Sequence, residues 1–542
     1  MTTSAGRLAR HSAVMAAGSF VSRLLGVVRS VMIMTIFGRS LAGDAWAVAN
    51  MLPNTIYLLL AGGVLNAVLV PQITKAEKHH EDGGRDFIDR LLTLALLALL
   101  VVTVVCVAAA PLLVRIFMDG SSVPEQVALA VSFSYIALPA IFFYGIYTIL
   151  GQVLNARERF GWYMWSPVLC NIVWIAGLGW FLVHYGRGVG APSAYSPQMI
   201  WLLGGSLLLG VAAQALVLIV PLYRSGFRYT PRFGWRGVGL GSAGRVAMWT
   251  FAALVVTQLG LIVQSRVLTS VDEGDTGKLP YDTAFLLFMT PHGLITVSLV
   301  TALFTTMSQA ASAGDTPALR ANVTQGMTLT TIATVPIMIV TLVLGPLLTR
   351  VLYPLNSVQT TDAIAYVAMA MMLGLPAFGI YYVLQRGFYA MEDAKAPFYL
   401  QVVNTLVAAV VAVGCLWISS EFRAVGVALG QALSNVVAAV LAVVWFAARL
   451  EGLPMHGVVR TTVRVLVASI PGMIVAVAAL LVAEWAGAGW AVSLAALVIG
   501  GGLFMVLYVA AARRMRVREL NAVLDPIMRR LRGVRKDGAT PA

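Results

Sequence analysis

Charged residues are scarce in this sequence: 11% of the 542 residues are Asp, Glu, Lys or Arg, whereas 59% are hydrophobic. The surface of a soluble domain needs about a quarter charged residues, so this composition excludes an ordinary soluble protein. The charge that is present is mostly basic, with 37 Lys and Arg against 23 Asp and Glu. The composition predicts a polytopic membrane protein.

Cysteine and the usual catalytic groupings are also rare. Cys106, Cys170 and Cys415 each fall in a separate apolar stretch, which gives neither the spacing of metal ligands nor a disulfide framework. His292 stands alone in PHGL, and neither a Walker A motif nor a Ser/His/Asp set occurs. We therefore expect no enzyme, no metal, no cofactor and no nucleic-acid partner, and an ATP-driven pump would need another subunit.

The sequence is rich in apolar stretches long enough to cross a bilayer, each of which needs about 20 residues. We mark fourteen of them, near residues 13–36, 45–70, 91–114, 126–153, 163–184, 199–222, 246–269, 283–308, 325–349, 362–386, 397–418, 424–447, 463–483 and 489–511. They predict an all-α polytopic membrane protein with about fourteen transmembrane helices. The first stretch is too polar in its middle for a cleaved signal peptide.

The basic residues indicate the orientation of these helices, because cytoplasmic loops are enriched in Lys and Arg. If the N-terminus is cytoplasmic, the basic groups at 75–90, 224–245 and 513–536 all fall on the cytoplasmic side. We therefore predict that both termini are cytoplasmic. The basic charge of 71–90 and of the tail is expected to dock on anionic lipid head groups.

Two segments of the chain resemble each other, GQVLNARERFGWYMWSPVLCNIV from Gly151 and QRGFYAMEDAKAPFYLQVVNTLV from Gln385. Each contains an asparagine, Asn171 or Asn404, early in its second helix. One explanation is that two basic turns are similar by chance, and the other is that the two segments are an internal repeat. Repetition predicts two parallel six-helix lobes with a substrate site between them, opened alternately to either side. The predicted division is a cytoplasmic N-terminus at 1–12, an N-lobe at 13–222, an interlobe linker at 223–245, a C-lobe at 246–447, two further helices at 448–511 and a basic tail at 512–542.

Two arginines, Arg23 and Arg29, lie inside the first apolar stretch, GSFVSRLLGVVRSVMIMTIFG. A guanidinium in hydrocarbon costs several kcal/mol, so it is kept where it faces water, a partner or an anionic ligand. Six residues advance a helix by about 9 Å and leave the two side chains about 120° apart, within reach of one wide cavity. The alternative for Arg29 is that its long stem places the guanidinium in the head-group layer.

The same stretch, followed by Asp44-Ala45 and by NMLPNTIYLLLAGGVLNAVLVP, resembles the opening of the MurJ (MviN) lipid II flippases of the MOP exporter group. TPHGLITVSLVTALFTTMSQ from Thr290 and GFYAMEDAKAPFYLQVVNTLV from Gly387 resemble that family's eighth helix and its tenth-to-eleventh connection. The resemblance covers helices one to twelve. It implies transport of lipid II, the undecaprenyl-diphosphate-linked disaccharide pentapeptide, from the inner to the outer leaflet of the bacterial cytoplasmic membrane.

The resemblance also assigns residues to the substrate site. Arg23 and Arg29 match the first-helix arginines, and arginine suits a diphosphate because it stays charged and binds phosphate oxygens bidentately. Asp44 matches the acid before the second helix, where it would pair with an arginine in the empty cavity. The alternative is an exposed Asp at a helix N-terminus, favoured by the helix dipole.

The sequence departs from the family at other cavity charges. The second-helix arginine falls at Tyr57 or Leu58, and the eighth-helix arginine falls near Leu286. Arg266 is a candidate replacement. The alternative is an interfacial arginine neutralised by the nearby acids Asp272, Glu273 and Asp275. The polar side chains that could bind sugars or peptide are Asn50, Asn54, Tyr57 and Asn66.

Four residues are predicted hinges: Gly62 and Gly63 in the second helix, and Pro291 and Gly293 in the eighth. Membrane helices tolerate such residues where neighbours or water satisfy the freed backbone groups. Close helix packing is the alternative, since small residues are common at helix contacts. The resemblance alone implies that the last two helices hold the polyprenyl tail.

We expect transport to depend on the membrane potential rather than on a dedicated cation site. A cationic cavity can use the potential directly, at about 2.3 kcal/mol per charge per 100 mV. A coupling ion would need a buried carboxylate, and we identify none in the middle of a helix of the second lobe; Glu484 lies at a helix end.

Rival functions are a flippase for another polyprenyl-linked glycan, a multidrug exporter and a scaffold for cell-wall synthesis proteins. Those proteins are also candidate partners of a flippase.

Overall fold

The computed structural model describes residues 4–60, 85–156, 160–226, 228–233, 244–517 and 519–520. Throughout this part of the chain the regular secondary structure is helical, which confirms the predicted all-α fold. Helices suit an apolar chain because each pairs its own backbone N–H and C=O groups without water. The predicted hinges Gly62 and Gly63 lie outside the described residues, as do Asn66 and the tail beyond residue 520.

The chain divides into two compact units, residues 1–282 with 412–424 and residues 283–411 with 425–542. The helices that begin in the first unit's long segment are α1 (Ser4–Phe37), α2 (Leu41–Leu60), α3 (Arg85–Ala108), α4 (Ala110–Phe117), α5 (Pro124–Ala137), α6 (Ala140–Ala156), α7 (Phe160–Tyr185), α8 (Pro197–Leu216), α9 (Ile219–Arg224), α10 (Gly244–Thr269) and α11 (Lys278–Pro291). Those that follow are α12 (Val297–Ser312), α13 (Thr316–Leu352), α14 (Val358–Met372), α15 (Leu375–Ala390), α16 (Lys395–Gly414), α17 (Ser420–Arg449), α18 (Met455–Trp485) and α19 (Trp490–Arg514). The predicted lobe limits stay a prediction.

Twelve spans within the described residues are long and apolar enough to cross a membrane, or thirteen if α14 and α15 count as one span bent by 47°. These thirteen correspond to thirteen of the fourteen predicted stretches. The remaining stretch, 45–70, is described only to Leu60, as α2. The polytopic fold is therefore confirmed, whereas the count of fourteen is not.

The corner between α1 and α2 sets the position of the first unit's polar residues. α1 ends at Phe37 because Gly38 takes a left-handed conformation, with φ +59°. Ser40 then caps α2, its Oγ accepting the backbone N–H three residues later at 3.1 Å. The rings of Phe37 and Trp46 stack beneath the corner with centroids 5.6 Å apart. This packing holds Asp44, in the first turn of α2, inside the protein.

The helix pairs of the first unit bring its polar groups together. α1 packs along α7, α7 packs along α8, and α2 packs against α5 and α6. Side chains on α1, α2, α6 and α7 can therefore meet although they are far apart in the sequence.

The second unit is organised around α13, a helix of 37 residues. α14, α15, α18 and α19 all pack on it, and α18 packs along α19. The Tyr508 hydroxyl on α19 donates a hydrogen bond to the Ile332 carbonyl oxygen of α13 at 2.9 Å. Buried apolar residues, including Leu344, Ala476 and Phe504, fill the space between these helices. The last two long helices are therefore part of the second unit's core packing.

Candidate functional site

Arg29 lies on α1, and two residues of α7 fix its guanidinium. Its Nη1 donates a hydrogen bond to Asn171 Oδ1 at 2.9 Å, and its Cζ lies 4.1 Å from the centroid of the Trp174 ring. Asn171 and Trp174 share one face of α7 because they are three residues apart. Asn171 is oriented in turn by a 3.0 Å hydrogen bond from its Nδ2 to the Ser22 carbonyl oxygen. Among the described residues, the partners of this guanidinium are therefore neutral.

Tyr144 and Tyr57 extend this polar group. Tyr144, on α6, lies close enough to Arg29 for an electrostatic interaction. Its ring centroid lies 5.5 Å from that of Tyr57, on α2. The Tyr57 hydroxyl shares a hydrogen bond with Thr148 Oγ1. The predicted site residues Arg29 and Tyr57 are thus connected through Tyr144.

Two more of the polar residues predicted for this region, Arg23 and Asn54, have exposed side chains. The side chains of Arg23 and Arg29 point from α1 in directions about 120° apart, since a step of six residues falls about 120° short of two full turns. Asn54 and Tyr57 lie on one face of α2, because they are three residues apart. The structure therefore places these four predicted residues on α1 and α2 of the first unit.

Asp44 has a different role from either predicted alternative. It is 2% exposed, so the alternative of an exposed acid is wrong. Its Oδ1 accepts the backbone N–H of Leu279 at 2.8 Å, at the start of α11, where helix N–H groups lack intrahelical partners. A Cβ at Gly277 would overlap the carboxylate, which requires glycine there. In the described part of the chain, Asp44 binds a helix end and no arginine.

An ion pair between a buried lysine and a partly exposed aspartate lies next to this cap and was missed by the sequence analysis. Lys278 is 1% exposed, and its Nζ donates to both carboxylate oxygens of Asp282 at 3.0 Å. The two residues are an i,i+4 pair in the first turns of α11, so their spacing was a usable signal. With Asp44, the cluster holds two carboxylates and one ammonium.

Arg266 lies in the last turn of α10 and its side chain is 42% exposed. Its Nη2 lies 3.8 Å from Asp119 Oδ1, and its Nη1 donates to the Arg115 carbonyl oxygen at 3.3 Å. Partial burial raises the pKa of the Asp119 carboxyl, but hydrogen bonds from Ser121 and Gly120 and the charge of Arg266 outweigh it, so the pKa lies below its usual value. Arg266 therefore ties α10 to the loop between α4 and α5.

Two of the three acids predicted to neutralise Arg266, Asp272 and Asp275, have another partner. Asp272 Oδ2 accepts a hydrogen bond from Ser420 Oγ at 2.8 Å, and Asp275 accepts one from the same hydroxyl. Among the described residues, the carboxylate beside Arg266 is that of Asp119. The prediction of a neutralised arginine thus named the wrong acids.

The predicted hinge at Pro291 and Gly293 coincides with an irregular turn. α11 ends at Pro291, and His292–Thr296 form a π turn before α12 begins. His292 is buried, with its ring centroid 4.3 Å from that of Phe378 and 5.1 Å from that of Tyr382. Single π turns inside helices are frequent at functional sites. Motion at this turn stays a prediction.

Comparison with known proteins identifies relatives over most of the chain. A family model described as "Lipid II flippase MurJ" matches residues 33–500. The chain is 24% identical over 481 residues to the probable lipid II flippase MurJ of Vibrio cholerae, covering 84% of this chain and 88% of that protein. It is 27% identical over 390 residues to the lipid II flippase MurJ of Burkholderia cenocepacia, covering 70% and 72%.

Solved structures agree on the fold. A lipid II flippase MurJ in an inward closed conformation matches with a TM-score of 0.71 at 19% identity, covering 93% of this chain and 98% of that one. An inward-facing multidrug resistance MATE family transporter of the MOP superfamily matches with a TM-score of 0.63 at 16% identity, covering 79% and 94%. These matches support the predicted fold, and the family model over residues 33–500 confirms the predicted resemblance to the MurJ family.

Proposed function

The chain belongs to the MurJ family of lipid II flippases, and from that premise we propose that it flips lipid II from the inner to the outer leaflet of the bacterial cytoplasmic membrane. The relatives' names supply the substrate. The many apolar helices indicate a multi-pass membrane protein, which agrees with transport across a membrane.

The observation that carries the proposal is the Arg29 guanidinium, held in a transmembrane helix on neutral partners. A guanidinium has five N–H groups, and Asn171 accepts from one of them. The others suit the oxygens of a diphosphate, which arginine binds bidentately. A cationic drug would be repelled at such a position, which favours an anionic substrate.

The neighbouring residues complete the proposed site. Arg23 supplies a second positive charge, and Tyr57 and Asn54 donate and accept hydrogen bonds with sugar or peptide. Asp44 and Arg266 act through the protein itself, since each is bonded to backbone groups of another element. We therefore treat those two as positioning residues.

The proposed mechanism is alternating access, with bending at the π turn His292–Thr296. We propose that the membrane potential acts on the cationic site, that both termini are cytoplasmic, and that α18 and α19 hold the polyprenyl tail. Anionic lipids at the basic cytoplasmic segments and cell-wall synthesis proteins are the proposed partners.

The proposal is tested by measuring lipid II orientation in cells that are depleted of their own flippase and supplied with this protein. Wild type is compared with Arg29→Ala and with Arg187→Ala, which removes an exposed loop arginine, at matched membrane levels. Loss of a charge-assisted phosphate contact of about 1.5–3 kcal/mol predicts a roughly 10- to 100-fold slower appearance of outer-leaflet lipid II for Arg29→Ala. Arg187→Ala is expected to match wild type.

Three results would contradict parts of this proposal. If wild type moves no lipid II, the substrate is wrong. If Arg29→Ala and wild type transport equally, the arginine does not bind the diphosphate. Because the fold is shared with a multidrug transporter, dye sensitivity of a deletion strain, relieved by the wild-type protein, would favour drug export.

A further inference from the structure

A further cluster of charged residues lies within the second unit. Arg350, near the end of α13, has a side chain only 10% exposed and binds two carboxylates. Its Nε and Nη2 donate to the two oxygens of Asp362 at 3.1 and 3.0 Å, and its Nη1 donates to Glu484 Oε1 at 2.6 Å. Asp362 is on α14 and Glu484 is on α18, so the three charges join three helices.

These charges sit at one end of a cavity of about 380 Å³ between the same helices. The rest of its lining is mainly apolar, contributed by Leu342, Val343, Pro346, Met369, Val477 and Leu480. An apolar wall with a charged end has the polarity of a lipid, with chains along the wall and a head group at the charges.

Exposed aromatic residues indicate the depth of this cavity in the membrane. Trp485 follows Glu484 directly and is 90% exposed, and Tyr366 lines the cavity. Trp490 is also exposed, and its Nε1 donates to the Val351 carbonyl oxygen at 3.2 Å, beside Arg350. Trp and Tyr are enriched at the membrane–water interface, at the level of the lipid head groups. The predicted topology puts this end on the outer side.

The charge balance selects the head group. One guanidinium and two carboxylates leave a formal excess of one negative charge, and the side chain of Glu484 is 46% exposed at the cavity. A partly buried excess charge is favourable only if a counter-charge joins it. A cationic group with N–H donors can bind the carboxylates, while Arg350 lies within the same cluster to bind an anionic group.

We propose that this cavity binds an ethanolamine phospholipid of the outer leaflet. The ammonium binds Glu484, the phosphate lies beside Arg350, and the upper acyl chains run along the apolar wall. This cavity shares α18 with the segment proposed to hold the polyprenyl tail, but none of its lining residues belongs to the proposed diphosphate site on α1 and α2. The proposal does not depend on which substrate the protein transports.

The test is native mass spectrometry of the purified full chain with dioleoyl-phosphatidylethanolamine, -phosphatidylcholine or -phosphatidylglycerol. We expect the ethanolamine lipid to bind about fivefold more tightly than the other two, as for roughly one ion pair. Phosphatidylcholine lacks N–H donors, and phosphatidylglycerol lacks the cation. Equal binding of the three lipids, or a preference for phosphatidylglycerol, would overturn the proposal.

Two variants locate the lipid. Glu484→Gln is expected to remove the ethanolamine preference, whereas Glu125→Gln, at an exposed glutamate in the first turn of α5, is expected to keep it. Val477→Trp is expected to fill the cavity and to lower ethanolamine-lipid binding to the level of phosphatidylglycerol. Thermal unfolding verifies that each variant is folded. If either Glu484→Gln or Val477→Trp, once folded, keeps the wild-type preference, the lipid does not bind here.

Discussion

Arg29 and Arg350 both lie in long apolar helices, yet the partners of their guanidinium groups have opposite electrostatic effects. Arg29 rests on an amide and an indole ring, so its charge stays available. Arg350 is surrounded by two carboxylates, so its charge is more than cancelled. Burial alone therefore does not distinguish Arg29, the arginine we propose to bind substrate, from Arg350, whereas the charge of their partners does.

The largest expected effect comes from removing the cancelled arginine. Arg350→Ala leaves Asp362 and Glu484 without their cation. Breaking a buried pair costs about 3–5 kcal/mol, a figure that applies to the more buried Arg350–Asp362 pair. We expect a marked fall in the unfolding temperature in detergent. The triple variant Arg350→Leu/Asp362→Asn/Glu484→Gln removes all three charges and is expected to recover much of that loss. If the triple variant is as unstable as Arg350→Ala, packing rather than charge is responsible.

Giving Arg29 a carboxylate partner should make it resemble Arg350. Asn171→Asp places a negative charge 2.9 Å from the guanidinium, where the amide oxygen now lies. We expect transport to fall about tenfold, equivalent to roughly 1.4 kcal/mol, because the diphosphate must then compete with the new carboxylate. Asn171→Ala removes the hydrogen bond without adding charge, and it should cost less. Equal losses in the two variants would show that partner charge is irrelevant.

The aromatic partner is expected to matter less than the amide. Trp174→Leu removes the ring whose centroid lies 4.1 Å from the Arg29 Cζ. A cation–π contact of about 0.5–1 kcal/mol corresponds to a two- to fivefold loss of transport, which is the loss we expect. Trp180→Leu, at an exposed tryptophan of the same helix, is the control. A wild-type rate for Trp174→Leu would mean that Asn171 alone holds the guanidinium.

The smallest effect is expected at Arg266. Its partners are one carboxylate and one carbonyl oxygen, so their negative charge is intermediate between that of the partners of Arg29 and that of the partners of Arg350. Its pair with Asp119 is partly exposed, so Asp119→Asn should cost less than about 1 kcal/mol. The pKa of Asp119 is depressed in the folded state, so its contribution is present above the usual value of 3.8 and is lost as the pH falls through the lower folded value. Unfolding temperatures of wild type and Asp119→Asn should therefore differ at pH 7 and converge on acidification. A constant difference would exclude the ionised carboxylate as the cause.

The membrane spans could be predicted because hydropathy is a local property of the sequence. The bend between α14 and α15 also had a local signal, since Gly374 and Pro376 lie at the break. The π turn coincides with Pro291, His292 and Gly293, which the sequence analysis had already selected.

The partners of the charged residues could not be predicted in the same way. Asn171 is 142 positions from Arg29, and Glu484 is 134 positions from Arg350. Nearby acids were therefore assigned to Arg266, although its partner Asp119 lies on another loop. Such charged pairs form where helices that are distant in the sequence pack together. A single sequence does not show which helices pack together.

The π turn at His292–Thr296 is wider than an α-helical turn, so its position determines which residues face each side of the helix. Each residue of an α-helix turns the chain by about 100°, so moving the wider turn by one position rotates one side chain by that amount while both ends stay in place. His292 Nδ1 and Thr296 Oγ1 are buried without a hydrogen-bond partner among the described residues, so both are available to the backbone groups that such a step releases. We predict that such a step exchanges the residues on the two faces of this segment without unwinding the helix.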